Sequence, residues 1–160
     1  MKKLSDMVML GDPRLYEVCE PIEKSELHLL EGWVADLDNV MNEIRAKYNF
    51  GRAIAAPQLG TMKRLIYMNI DNPIVFINPE ITYRSDDKFE LWDDCMSFPN
   101  LFVKVRRHKK ITIKYLDENW DAQVWKMEGD LSELLQHECD HLDGILSTMR
   151  AIDEKSFKWR

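Results

Sequence analysis

Between Leu27 and Tyr48 the apolar residues return at steps of three and four: Leu30, Trp33, Val34, Leu37, Val40 (or Met41), Ile44 and Tyr48. That period is the stripe of an amphipathic helix, with Ser25 placed to cap its start and Gly51 just past its end. After Gly51 the pattern shortens into β-prone runs: Arg64 to Ile70, Ile74 to Asn78, Ile81 to Tyr83 and Phe102 to Val105. Lys109 to Tyr115 alternates, with Ile111, Ile113 and Tyr115 on one side, and Asp117-Glu118-Asn119 reads as a hairpin connection to Gln123–Met127. The helical period comes back from Leu131 to about Leu142, with Asp130 as N-cap, Glu133 at the reciprocal capping position and Gly144 at the C-terminal end. A long helix, several antiparallel strands and a second helix predict an α+β fold. No repeat or Gly/Ser-rich linker divides the chain, so residues 1–160 are expected to form one domain.

Composition narrows the function classes. The chain is 45% hydrophobic and 31% charged, an ordinary globular balance, with a formal charge of -6 that argues against nucleic acid as the main partner. No apolar run approaches the roughly 18 residues of a membrane span. The opening MKKLSDMVMLGD has only a broken apolar stretch, which makes a poor signal peptide, so a cytoplasmic location is expected. Three cysteines, Cys19, Cys95 and Cys139, match no disulfide framework and fit free thiols or a metal ligand in a reducing compartment.

The sharpest chemistry lies in His137-Glu138-Cys139-Asp140-His141. Histidines four apart on a helix stand one turn above each other and can share a metal ion, although an arbitrary pair at that spacing is as often two surface residues. Helical geometry separates these readings. With His137 at zero and about 100° per residue, Leu134, Ile145, Leu131, Leu142 and Leu135 fall between about 60° and 160°, the core face. His141 lies at about 40° on its edge, and Glu138 at about 100° in its middle. A carboxylate there needs a compensating partner, and beside two metal-spaced histidines it reads as a general base. Cys139, at about 200°, points away and reads as a packed thiol.

HExxH alone does not fix the hydrolase type. The extended zinc-protease pattern HExxHxxGxxH holds to Gly144 and then meets Ser147, and the 19 residues after His141 leave little room for a distant glutamate ligand. Upstream, Cys95 in Trp92-Asp93-Asp94-Cys95-Met96-Ser97-Phe98-Pro99 offers a thiolate that, with two imidazoles, would leave a fourth position for water. Taken alone, a single cysteine is more often a buried apolar residue.

Three motifs together resemble the peptide deformylases. Gly51-Arg52-Ala53-Ile54-Ala55-Ala56-Pro57-Gln58 is similar to the family's GxGxAAxQ, and Asp93-Asp94-Cys95-Met96-Ser97 to its EGCxS. Gln136-His137-Glu138-Cys139-Asp140-His141-Leu142-Asp143-Gly144 matches QHExDHLxG throughout, and Gly11-Asp12-Pro13-Arg14-Leu15 looks like the family's opening segment. The resemblance implies antiparallel sheets around a central HExxH helix and hydrolysis of the N-formyl group from formylmethionine on nascent peptides. It makes Cys95, His137 and His141 the metal ligands, with Fe(II) the working ion and Zn(II), Ni(II) or Co(II) acceptable to the same donors. Glu138 becomes the general base, and the Gln58 side chain and the Met96 backbone N–H the oxyanion donors; without the resemblance Gln58 would read as a solvated loop amide. Arg52, Ala53, Ile54 and Asp94 become substrate-binding residues, with the segments around Ile54 and Met96 lining a methionine pocket.

Several positions depart from the family pattern. Ala53 replaces a glycine, which is costly if that backbone needs positive φ and tolerable if it needs only room. Asp93 replaces a glutamate and is expected to meet Arg107 or Arg106. Asp94 replaces the glycine before the ligand, and an Arg52–Asp94 ion pair at the rim of the cleft is expected. Phe102 stands where bacterial members often carry an arginine that meets the peptide. The tail from Ala151 to Arg160 is short and does not support ribosome association. Two other readings stay open: a metalloamidase for a different N-formyl substrate, and a catalytically idle metal-binding member of the fold.

Overall fold

A computed structural model describes residues 1–160. Its long helix α1 spans Leu27–Tyr48, as the apolar period predicts. Leu30, Leu37, Val40, Met41 and Ile44 are buried along its stripe. The ends differ from expectation. Ser25 does not cap; a 3-10 turn at Lys24–Glu26 leads in, and the Glu26 carboxylate accepts from the Glu23 N–H at 2.9 Å. Asn49 takes the left-handed position that closes the helix, and Gly51 follows with φ +129°.

The chain then builds β1 (Ala53–Ala55), β2 (Leu65–Asn69), β3 (Pro73–Arg84), β4 (Lys88–Asp93), β5 (Leu101–His108), β6 (Lys110–Leu116) and β7 (Ala122–Glu128). Helix α2 follows at Asp130–Leu142, and a short strand β8 at Phe157–Trp159. All pairings within the sheets are antiparallel: one sheet runs β1-β2-β3-β6-β7, the other β4-β5-β8. The two runs expected around Ile74 and Ile81 are one strand, bent by a register shift where Asn78 sits at φ 49°. Its side chain clips Ile22 through both backbone groups, at 2.8 and 2.9 Å.

The larger sheet is covered on both faces, which explains why β2 lacks a polar alternation. Leu65 and Tyr67 join the core under α1, with Val75 and Ile77 of β3. Ile66, Met68 and Phe76 face the other way, into a second core with Leu134, Leu135, Cys139 and Leu142 of α2. Period two sends alternate side chains to opposite faces, so both phases of these strands are apolar.

Helix α2 starts one residue earlier than expected. Gly129, at φ 62°, holds the N-cap position and Asp130 is already helical. Glu133 does no capping, because its carboxylate is turned to Arg52. Past the helix, Gly144 lies at φ +71°, and a Cβ there would sit 2.5 Å from the Tyr16 carbonyl. The N-terminal segment is thereby packed hard against the end of α2. No helix is long and apolar enough to cross a membrane.

Candidate metal centre

Two pieces of chain converge beside α2. The turn after β4 carries Cys95, and the helix carries His137 and His141; all three are buried, and their donor atoms lie within 4.8 Å of one another. His141 Nε2 is 3.2 Å from His137 Nε2 and 3.4 Å from Cys95 Sγ. His137 uses Nδ1 to donate to Asp93 at 2.8 Å, so its Nε2 presents a lone pair to the cluster. A sulfur and two imidazole nitrogens aimed at one point fit a borderline divalent cation with room for a further ligand.

Asp93 is shared. Its Oδ2 also accepts from Arg107 at 3.0 Å, the pairing expected for one of the two neighbouring arginines. Burial opposes ionisation, but the charges and hydrogen bonds of His137 and Arg107 overcome it and hold this carboxyl at about 2. Arg107 continues to Asp140 at 2.8 Å, and Asp140 in turn accepts from Arg150 at 2.6 Å. The sequence reading missed the Asp93–His137 contact and the Asp140 link; its signal was the carboxylate two residues before the cysteine.

Glu138 lies where the helical projection puts it, 4% exposed, and its Oε2 has no hydrogen-bond partner. Burial pushes it up to about 7, against the pull of His137. Burial also lowers the His141 imidazole well below its usual range, and protonation of His137 adds to the effect. Cys139 is the packed thiol expected, raised far up by burial.

Gln58 is buried rather than solvated, on a 3-10 turn at Ala56–Leu59. Its Oε1 accepts from the Ala55 N–H at 3.0 Å, which fixes the amide and turns Nε2 toward Ser97 Oγ at 3.1 Å and Cys95 Sγ at 3.5 Å. The Met96 backbone N–H donates to no backbone acceptor, while its side chain enters the α1 core. Ser97, absent from the expected site, braces Gln58 and was legible only as the last letter of its motif.

A cleft of about 280 Å³ opens onto this cluster. Gln58, Cys95, His137 and Glu138 reach it, and Phe50, Ala53, Met96 and Leu134 wall it. Ala53 lies in β1 with ordinary φ, and so its methyl answers a demand for room rather than for glycine's backbone freedom. Gly51 does carry that demand, because at φ +129° an added Cβ would press to 3.0 Å from Met96 Cε. Two expectations are corrected. Ile54 is wholly buried in the α1 core, since strand alternation turns it away from α2, so its side chain does not line the cleft. Arg52 does not pair with Asp94: Arg52 reaches back over α2 to Glu133 at 2.7 Å, while Asp94 is taken by Arg160. Both acids find a nearer cation.

A cysteine sulfur facing two imidazoles of an HExxH helix, beside a glutamate that burial raises to about 7, is the equipment of metal-dependent hydrolysis. The family model described as polypeptide deformylase matches residues 4–157. A peptide deformylase of Treponema pallidum (strain Nichols) is 34% identical over 151 residues, covering 94% of this chain and 89% of that protein. One from Dictyoglomus thermophilum is 36% identical, covering 91% of each. The crystal structure of peptide deformylase from Thermotoga maritima superimposes with a TM-score of 0.81 at 31% identity, over 92% of this chain and 97% of that one. The chain belongs to the polypeptide deformylase family. With that membership go its enzyme class, a hydrolase of N-formyl peptides, and a divalent metal in its working site.

Proposed function

We propose that each residue of the cluster has a defined task in releasing formate from N-terminal formylmethionine. Cys95 Sγ, His137 Nε2 and His141 Nε2 hold one divalent ion, Fe(II) by preference over Zn(II), Ni(II) or Co(II), which when bound acidifies water and polarises the formyl oxygen. Glu138 takes a proton from the attacking water and delivers it to the departing amine nitrogen. A carboxyl poised near 7 is suited to both transfers. Negative charge on the former carbonyl oxygen is met by Gln58 Nε2 and the Met96 N–H. Each preorganised donor in such a site is worth about 2.7–4 kcal/mol of barrier. The Ala55 N–H locks the Gln58 amide with its donor end toward the sulfur, so no reorganisation is needed at the moment of reaction.

Substrate backbone has a place to lie. Strand β1 pairs only with β2, so its other edge is free along the cleft wall. An extended peptide can add there through Ala53 backbone groups, which makes the Arg52–Ile54 segment a binding surface by its main chain. The methionine side chain then meets Phe50, Met96 and Leu134. Asp94 does not face the peptide as a bare anion, because Arg160 neutralises it; that favours a formyl peptide over a cationic formyl amine. A cytoplasmic location accords with three unpaired cysteines, and nascent peptides as partners accord with the family.

The observation that carries this reading is the unpartnered, buried Glu138 carboxyl beside three converging donors. Anaerobic protein with its metal content measured, assayed for formate release from formyl-Met-Ala-Ser and from formyl-Ala-Ala-Ser, tests it. Turnover that favours the methionine peptide is expected. Absence of formate from either, with metal bound, would leave an idle metal-binding protein.

A further inference from the structure

The segment after β8 arrives at the mouth of the cleft. Strand β8 pairs antiparallel with β5, setting Leu101 opposite Trp159 and Phe102 opposite Lys158. The next residue, Arg160, donates its backbone N–H to the Asn100 carbonyl at 2.8 Å and Nε to the Pro99 carbonyl at 2.7 Å. Its guanidinium lies between two rings, 4.2 Å from the Phe50 centroid and 4.5 Å from the Phe102 centroid. Nη2 pairs with Asp94. Phe50 and Asp94 both border the cleft that holds Cys95, His137 and Glu138. A surface arginine usually sweeps many rotamers; this one is fixed by two backbone carbonyl contacts, two aromatic faces and a carboxylate.

Those contacts use Nε and Nη2 and leave the Nη1 N–H groups without a partner in the protein, on a side chain 28% open. A preset, charged donor beside the entrance is what a peptide carbonyl beyond the formylmethionine would meet. The rings and Asp94 hold the fork in place, so little conformational freedom is lost when a ligand accepts from it. At the same cleft Arg52 pairs with Glu133 through Nη2 alone, on a side chain 42% open, and no other side chain holds it. Of the two guanidiniums, Arg160 is the one seated between two rings, a backbone carbonyl and a carboxylate, so its free Nη1 donors are preset.

We propose that Arg160 is a specificity-determining residue of this enzyme, reading the peptide backbone downstream of the formylmethionine from a seat built by Phe50, Asp94 and Phe102. This rests on the deformylase reading above. The residue acts on binding and touches none of the reacting atoms. Its contribution therefore depends on whether the substrate has a residue long enough to reach it.

The test compares formyl-Met-Ala-Ser with formyl-Met-amide on metal-loaded wild type, R160A and R160K. For R160A, KM for the tripeptide is expected to rise about tenfold, the size of one charge-assisted hydrogen bond. KM for formyl-Met-amide should shift less than twofold. R160K should stay within twofold of R160A on both substrates, since an ammonium cannot stack between the rings and pair with Asp94 through a planar fork. Equal losses on both substrates would make Arg160 a merely structural brace, and no loss on the tripeptide would remove it from recognition. Full rescue by R160K would overturn the guanidinium-specific seat. Should wild type release formate from neither substrate, the enzymatic reading fails by itself. Calorimetric binding of formyl-Met-Ala-Ser then decides on Arg160, with the same tenfold loss in R160A expected and an unchanged affinity overturning it.

Discussion

The two helices bury their inner faces for opposite ends. Along α1 the buried residues are all hydrocarbon or thioether: Leu30, Leu37, Val40, Met41 and Ile44. Helix α2 buries Leu134, Leu135 and Leu142 too, but also Glu133, Gln136, His137, Glu138 and His141. A buried polar group is costly unless it is partnered, and most of these are. Gln136 donates to the His108 carbonyl at 2.9 Å and accepts from its N–H at 3.0 Å, His137 has Asp93, and Glu133 has Arg52. The atoms left over on α2 are Glu133 Oε2, Glu138 Oε2 and His141 Nδ1, and the last two belong to the residues gathered at the cleft. Stability is concentrated under α1 and reactivity on α2, and the larger sheet between them keeps the two apart.

Substitutions on the two helices should therefore separate cleanly. The largest effect is expected from Glu138→Gln, which keeps the shape of the side chain and removes its proton chemistry. Formate release should fall about 10²- to 10⁴-fold with metal content unchanged, read by single-sample metal analysis and turnover. Leu37→Ala should do the reverse. Loss of a buried leucine costs about 2–5 kcal/mol, visible in a denaturant melt, while turnover per folded, metal-loaded molecule stays as it was. If Leu37→Ala impaired turnover as much as stability, the proposed division between the helices would be wrong. Asp93→Asn comes next. It takes the charge from beside the His137 imidazole and Arg107, and metal affinity by chelator competition should drop about 10- to 100-fold. Arg150→Ala should do least. Its pair with Asp140 is partly open to solvent, so a loss of up to about 1 kcal/mol is expected in the same melt.

The difference between the helices also explains what could be read from the sequence. Helix α1 was legible to the residue because one periodic signal, apolar burial, fixes it. The ligand pair and Glu138 were legible because a fixed angle per residue converts spacing into direction. Strands β1, β4 and β8 escaped notice: three-residue β1 and β8 are too short to show alternation, and β4 carries charges at its outward positions. The pairing of Arg52 and Asp94 was misread for a different reason. Motif order places both at the cleft, but which cation meets which acid is settled by Glu133 one turn before His137 and by a tail residue 66 positions beyond Asp94. Neither neighbour is local in sequence.

Asp93, Arg107, Asp140 and Arg150 alternate in charge from the His137 ring out to solvent, and they tie four separate stretches of backbone together. The strand that leads to the sulfur and the helix that bears the nitrogens are thus riveted to each other by protein alone. A small zinc finger has little besides its ion to hold it; here the ligand-bearing elements are also joined by buried ion pairs. The spacing of the three donors is thus set by the protein's own charges and not only by the ion that they would hold.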